Sequence, residues 1–386
     1  MRFANVKNPV TKQVICTVTN DLNYDQRMQR ICSALQETGY EVTLVGRELP
    51  DSLPLLITAY KQVRLPLKHT KGKRFYAEYN WKLFQWLKKY VRNLPNKSVA
   101  VCAIDLDTIL PVFQISRIFQ LTRVYDAHEL FTEMTEVKRR KHIHYIWSQL
   151  QHNLVPQFNN GYTVNEYIAQ IFYIKYKVNY WVIRNMPLPA NVRPLSSASI
   201  PDLPPRFFLY QGAVNEGRGF SQLVQAMKEI DVPVVIAGTG NFIKQLKAAI
   251  LEAKVTDKFI FLGQILPNDL IPITRRAFAG LTLFENTGIN QYNSLANRYF
   301  DYVQAGIPQL CVNYPEYAAL QKQFAVAHLI DNVEPATIVS GMKELLVNSE
   351  LWNSLSEGAK KAAEIWNWDH EKQKLIEFWQ KVFPLS

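Results

Sequence analysis

Three stretches of this chain have residue types and spacings suited to a phosphorylated ligand. The first is Tyr210-Gln-Gly-Ala-Val-Asn-Glu-Gly-Arg-Gly-Phe220, which carries Gly212, Gly217 and Gly219 around one cation, Arg218. Small residues let a backbone approach phosphate closely, and a guanidinium offers it a two-pronged hydrogen-bond fork. The second is Ile236-Ala-Gly-Thr-Gly-Asn241, with Gly238 and Gly240. The third runs from Glu285 to Pro308, where Asn293, Ser294, Asn297, Arg298 and Asp301 crowd the entrance of a helical run that Gly306 and Pro308 end. A helix start presents unpaired N–H groups and the positive end of a dipole, so a polar loop feeding it is a natural anion site. One glycine loop alone is as often a plain connection. Several at successive strand ends would line one rim of one sheet. In the first half, His128 lies just past an expected strand, Arg123 to Asp126, with Glu129 beside it. A histidine at such a strand end either serves a pocket or is satisfied by its neighbours.

The elements that must position these residues are strands alternating with helices. Gln13 to Val18 is short, apolar and rich in β-branched residues, and the polar loop Thr19 to Asp25 follows it. A helical pattern through Met28, Ile31, Cys32 and Leu35 ends at Gly39, and Glu41 to Val45 is the next strand. Asp21, Asn23 and Asp25 in the loop are either ligand contacts or caps for that helix. The alternation continues with strands near 99–104, 123–126, 162–164 and 181–183, which predicts a doubly wound parallel sheet. Residues 186–206 hold six prolines and three serines and read as a linker. The pattern then restarts, with strands at 207–210, 234–237, 259–262, 280–284, 309–312 and 328–330. The expectation is an α/β chain with a Rossmann-like domain over 1–185 and a second over 207–365. A final amphipathic helix in 366–386 would pack back on the first domain. A ligand would sit in the cleft between the domains.

Composition narrows the function. At 386 residues, 48% hydrophobic and 20% charged, the chain is an ordinary globular protein with length for two domains. No apolar run approaches the ~20 residues needed to cross a bilayer, and Met1 to Lys7 lacks an apolar signal core. A cytoplasmic protein is expected. Cys16, Cys32, Cys102 and Cys311 are scattered among apolar residues and read as buried thiols. Residues 1–190 hold 26 Lys and Arg against 14 Asp and Glu, whereas 191–386 hold 18 against 19. The first half alone therefore suits an anionic partner. Its basic and aromatic segments are Lys71 to Arg92, with Phe75, Tyr79, Leu83, Trp86 and Tyr90 at helical spacing, and Lys138 to Trp147. Either they rest on the inner face of an anionic membrane, or the aromatic stripe is core and the lysines are a solvated face. Nucleic acid is not expected, because neither segment sits in a recognisable nucleic-acid module.

The order of these motifs resembles the retaining glycosyltransferases of family four, which have the two-domain GT-B fold. The resemblance covers nearly the whole chain. It is carried by Asn20 to Arg27, Gly39 to Val45, Asp126-Ala-His-Glu129 and Asn185-Met-Pro187 in the first half. In the second half it is carried by Tyr210-Gln-Gly212, Gly217-Arg-Gly219, Ile236 to Gly240, Phe259 to Gly263 and Asn297 to Pro308. It implies that Arg218 binds the donor diphosphate from the position usually held by a lysine, while Ala213 stands where an arginine is usual, leaving backbone N–H groups and Arg298 to help. It implies that Asp301 holds the nucleotide ribose as the second acid of a Glu-x7-Glu motif, whose first position is Asn293 here. It places His128 near the reacting anomeric centre in a positional and electrostatic role.

The function so implied is transfer of a sugar from a nucleotide-sugar donor to a saccharide or lipid-linked acceptor, in cell-surface glycan synthesis. The acceptor hydroxyl would add on the face the diphosphate leaves, without metal, protein nucleophile or cofactor beyond the donor itself. Asp105-Leu-Asp107 has metal-pair spacing but lies in the first half, and the two acids read as loop or cap residues. Two other readings remain open: a non-catalytic GT-B protein that binds a glycan or partner, and a nucleotide-sugar epimerase.

Overall fold

The computed structural model describes residues 11–50, 52–94, 98–189 and 202–385. The chain divides into two units, Met1–Arg184 with Glu371–Ser386, and Asn185–His370. Of the expected linker, residues 190–201 lie outside the described residues.

The first unit is built on seven strands: β1 (Gln13–Thr17), β2 (Glu41–Glu48), β3 (Lys61–Pro66), β4 (Val99–Ile104), β5 (Thr122–Ala127), β6 (Gly161–Thr163) and β7 (Trp181–Val182). Their order is β3-β2-β1-β4-β5-β6-β7, and every neighbouring pair is parallel. β4 is buried at all six positions, the mark of a strand covered on both faces. Helix Gly72–Asn93 closes one face with Phe75, Tyr79, Leu83, Leu87 and Val91. Its aromatic stripe is thus core at Phe75, Tyr79 and Leu83, while Trp86 and Tyr90 stack on each other at 4.6 Å, half-buried on its flank. Helix Trp368–Val382 ends in this unit, as expected: Phe378 meets Tyr162 edge-on at 5.0 Å, and the Tyr40 hydroxyl donates to the Phe383 carbonyl at 2.7 Å.

The second unit has six strands: β8 (Phe208–Gln211), β9 (Val234–Ala237), β10 (Phe259–Gly263), β11 (Ala279–Thr282), β12 (Gln309–Val312) and β13 (Ala327–Ile330). The order is β10-β9-β8-β11-β12-β13, again parallel throughout. Both units are doubly wound, so the fold is the α/β pair of Rossmann-like units that the alternation predicts. In each sheet the strand order reverses beside the first strand: between β1 and β4, and between β8 and β11. In such sheets the carboxyl ends of the strands at that reversal open the crevice where ligands bind.

Candidate active site

At the reversal of the second sheet, helix Asn297–Ala305 is drawn tightly onto β11 and β8. A Cβ on Gly280 would lie 2.2 Å from the Tyr302 ring, so only glycine admits this approach. The Tyr302 hydroxyl donates to the Leu209 carbonyl at 2.8 Å and accepts the Gln211 N–H at 3.3 Å. Helix periodicity then sets the start of the helix at the end of β8. Asp301 accepts from Gln211 Nε2 at 3.1 Å, and Gln211 is itself fixed by the Thr274 hydroxyl at 2.8 Å.

Arg298 lies on the buried side of this helix, 8% exposed. Its guanidinium sits 4.5 Å over the Tyr210 ring and 4.9 Å from the Phe284 ring, and Nη1 donates to the Tyr210 hydroxyl at 3.3 Å. Nε and Nη2 are buried and have no hydrogen-bond partner among the described residues. Arg218 reaches the same aromatic ring, its guanidinium 4.4 Å from the Phe284 centroid. Two cations thus converge on one ring. Because like charges repel and buried N–H groups without acceptors cost ~1–3 kcal/mol each, this arrangement is suited to an anion with several acceptor oxygens.

The glycines divide by role. Gly212 and Gly217 hold φ of 116° and 81°, which L side chains rarely adopt, and Gly212 lies beside Arg298. Gly238 and Gly240 are set by packing: a Cβ on Gly238 would lie 1.9 Å from the Gly212 carbonyl oxygen, and one on Gly240 2.3 Å from that of Val214. They let the first two loops touch. The Gly219 N–H is bonded to the Glu285 carboxylate at 3.2 Å, so that group is used within the protein. Asn293 is buried and donates to the Ile289 carbonyl at 2.9 Å, whereas Asn297 opens the helix on its exposed side.

The first unit places a separate charged cluster at its own reversal. Arg27 is buried on helix Gln26–Thr38, on the same face as Ile31, Ala34 and Leu35. It clamps Asp126 through Nη2 at 2.9 Å and Nε at 3.3 Å, and donates from Nη1 to the Ile183 carbonyl at 3.0 Å. His128 lies between two carboxylates: Nδ1 is 3.2 Å from Asp105, and Nε2 is 3.1 Å from Asp126. The second contact is one of charge, since Nε2 lacks hydrogen-bond alignment. Burial would push the imidazole down, but Asp105 and then Asp126 hold its pKa well above the usual histidine range. Burial would raise Asp126, yet Arg27 and His128 keep it below the usual carboxylate range. Burial and the Asp105 charge push Asp107 up to about 7, against the Thr19 hydroxyl bonded to it at 2.5 Å.

Two readings are revised here. Asp105 is more than a loop or cap residue, because its carboxylate faces His128. Of the loop acids, Asp25 caps the following helix by accepting the Met28 N–H at 3.0 Å. Asp21 pairs with Arg64 at 2.7 Å, and Asn23 donates to the Pro54 carbonyl at 2.8 Å, so these side chains brace the loop. Arg27 carries no role in the sequence reading, and Asp105 none beyond that of a loop or cap residue. Arg27 had a signal: a lone cation on the apolar stripe of an amphipathic helix.

Residues 195–362 match the family model described as glycosyl transferases group 1. No curated protein sequence matches the chain. Among solved structures, sucrose-phosphate synthase from Thermosynechococcus elongatus aligns over 97% of this chain and 100% of its own, at 12% identity and a TM-score of 0.80. HepE from Anabaena, in complex with UDP and glucose, aligns over 96% and 100%, at 12% identity and a TM-score of 0.74. A putative UDP-N-acetylglucosamine 2-epimerase from Listeria monocytogenes aligns over 97% and 98%, at 11% identity and a TM-score of 0.65. At such identities the likeness carries the fold alone, and epimerases share it.

Proposed function

We propose that this chain, whose residues 195–362 match the model of the group 1 glycosyl transferases, is a GT-B glycosyltransferase that passes a sugar from a nucleotide donor to a saccharide or lipid-linked acceptor with retention. The observation that carries the donor assignment is the convergence of Arg218 and Arg298 on Phe284, with two buried N–H positions of Arg298 lacking an acceptor. A diphosphate supplies both the charge and the acceptor oxygens. Asp301, held at the end of β8, is assigned to the ribose hydroxyls, and Asn293 to the donor sugar. The acceptor side belongs to the first unit, with His128 as its fixed positive charge.

The reaction breaks the bond between the anomeric carbon and the diphosphate oxygen, and the electron pair leaves with that oxygen. Negative charge grows on the diphosphate, where the two guanidinium groups already wait, and preorganised charge of this kind lowers the barrier. The acceptor oxygen bonds the anomeric carbon on the departing face, and its proton passes to a phosphate oxygen. No protein nucleophile or metal enters this scheme.

A lipid-linked or membrane-bound acceptor fits the surface of helix Lys141–Leu154. Lys138, Arg139, Arg140 and Lys141 precede Tyr145 and Ile146, which are 65% and 60% exposed, a pairing of cations with apolar tips suited to an anionic lipid surface. Among the described residues, no helix is long and apolar enough to cross a membrane.

The test is nucleotide release from a panel of sugar nucleotides, UDP-sugars first, with and without candidate acceptors. Acceptor-dependent release is expected. An epimerase would instead change the donor sugar without an acceptor, and absence of both turnover and nucleotide binding would refute the assignment.

A further inference from the structure

Asp105 is fixed beside His128 by three contacts, two of them to His128 itself. Its backbone N–H donates to the Asp126 carbonyl at 2.9 Å, tying the end of β4 to the end of β5. Its Oδ1 accepts the His128 backbone N–H at 2.8 Å, and its Oδ2 faces the ring at Nδ1. To do so it holds φ at +54°, left-handed backbone that a non-glycine residue adopts at a cost. Loops store such strain where a particular geometry is required, and helix capping does not require it here. Asp126, on the other side of the ring, is itself held by Arg27.

We propose that Asp105 is a positioning residue that fixes the ring of His128 with both nitrogens turned to carboxylates, so that the site presents a fixed cation and offers no nitrogen to accept a proton. The groups that touch the ring are Asp105 after β4 and Asp126 on β5, Asp107 acts on it by charge alone, and Arg27 from helix Gln26–Thr38 and Tyr162 from β6 lie behind Asp126. Burial opposes the charged ring, and the two carboxylates that touch it overcome burial. The positive charge is then available to an anionic substrate group, or to negative charge that grows during reaction, and a neighbouring carboxylate cannot swing away from it. The role in turnover rests on the proposed glycosyl transfer. The state of the ring does not.

The experiment is an NMR titration of the labelled His128 imidazole in the full chain, wild type and Asp105→Asn, paired with pH profiles of turnover. Asparagine tolerates left-handed backbone and can still accept the His128 N–H, so the change removes charge more than shape. In the wild type the ring is expected to stay protonated through neutral pH. In Asp105→Asn its pKa should fall by about one unit or more, the effect of losing an opposite charge at contact distance. Turnover should then lose kcat on the alkaline side, where the ring deprotonates, with KM for the donor little changed. A wild-type ring that titrates at or below the ordinary histidine value overturns the proposal, even where the variant fails to fold. So does an unshifted ring in a folded variant. If no sugar nucleotide is turned over, the glycosyl-transfer reading fails, and the titration still decides this one.

Discussion

Arg298→Met separates a ligand-binding cation from a buried structural one. Methionine keeps an unbranched stem between Tyr210 and Phe284 and removes the guanidinium. In the ligand-free protein the effects oppose each other. Two ring contacts, at 4.5 and 4.9 Å, are worth about 1–2 kcal/mol each for a guanidinium out of water, and the bond to the Tyr210 hydroxyl about 1 kcal/mol. Against these stand two buried N–H positions without an acceptor, at about 1–3 kcal/mol each. The net lies near zero, so urea denaturation should find the variant within about 1 kcal/mol of wild type. Binding has no such cancellation. A diphosphate that fills both N–H positions gains charge-assisted bonds, so the variant should bind UDP more weakly by about 2–3 kcal/mol, roughly 30- to 150-fold by calorimetry. Wild type should therefore gain more stability from UDP than the variant does. If UDP affinity were unchanged while ligand-free stability fell by about 3 kcal/mol, Arg298 would be a structural cation and the phosphate assignment would be wrong.

Both Rossmann-like units were legible because their strands are short, apolar and bounded by turn residues, and periodicity needs no knowledge of tertiary contacts. β3 was not. Lys61-Gln-Val-Arg-Leu-Pro66 pairs on one side only, at the sheet edge, where it buries little beyond Leu65. An edge strand of this kind lacks the apolar run by which a central strand is recognised. The candidate site was legible in its parts and not in its wiring. Arg218 and Arg298 could each be singled out by their place near a glycine loop or a helix start. That both rest on Phe284 follows from the spacing of β8 and β11, which no local pattern encodes. The same holds for Asp105 and His128. They are 23 residues apart, and only the pairing of β4 with β5 brings the two strand ends together. Gly238 and Gly240 carry the signature of a phosphate loop, and their contacts with the first loop are by themselves enough to demand glycine at both positions.

Gly238→Ala tests that last point, since its Cβ would fall 1.9 Å from the Gly212 oxygen at φ +153°. It should destabilise the second unit by about 3 kcal/mol or more in urea, whereas Gly263→Ala, with φ +70° and no atom within 4 Å of its Cβ, should cost only about 1 kcal/mol. An equal cost at both positions would remove the loop contact as the reason for Gly238. Asp107→Asn tests the electrostatics of the first unit through its sign. The carboxyl of Asp107 is raised from 3.8 to about 7 in the folded protein, so the folded state binds the proton more tightly than the unfolded chain does. Its contribution is fully present below pH 3.8 and is lost as pH rises through 7. Asparagine removes the titration and can still accept from Thr19. The variant should therefore be more stable than wild type at pH 8, by about 2 kcal/mol after allowing for the polar loop around the acid, and the difference should shrink as pH falls toward 4. A difference between the two proteins that is flat from pH 4 to 8 would show that Asp107 ionises in the folded state as it does in the unfolded chain.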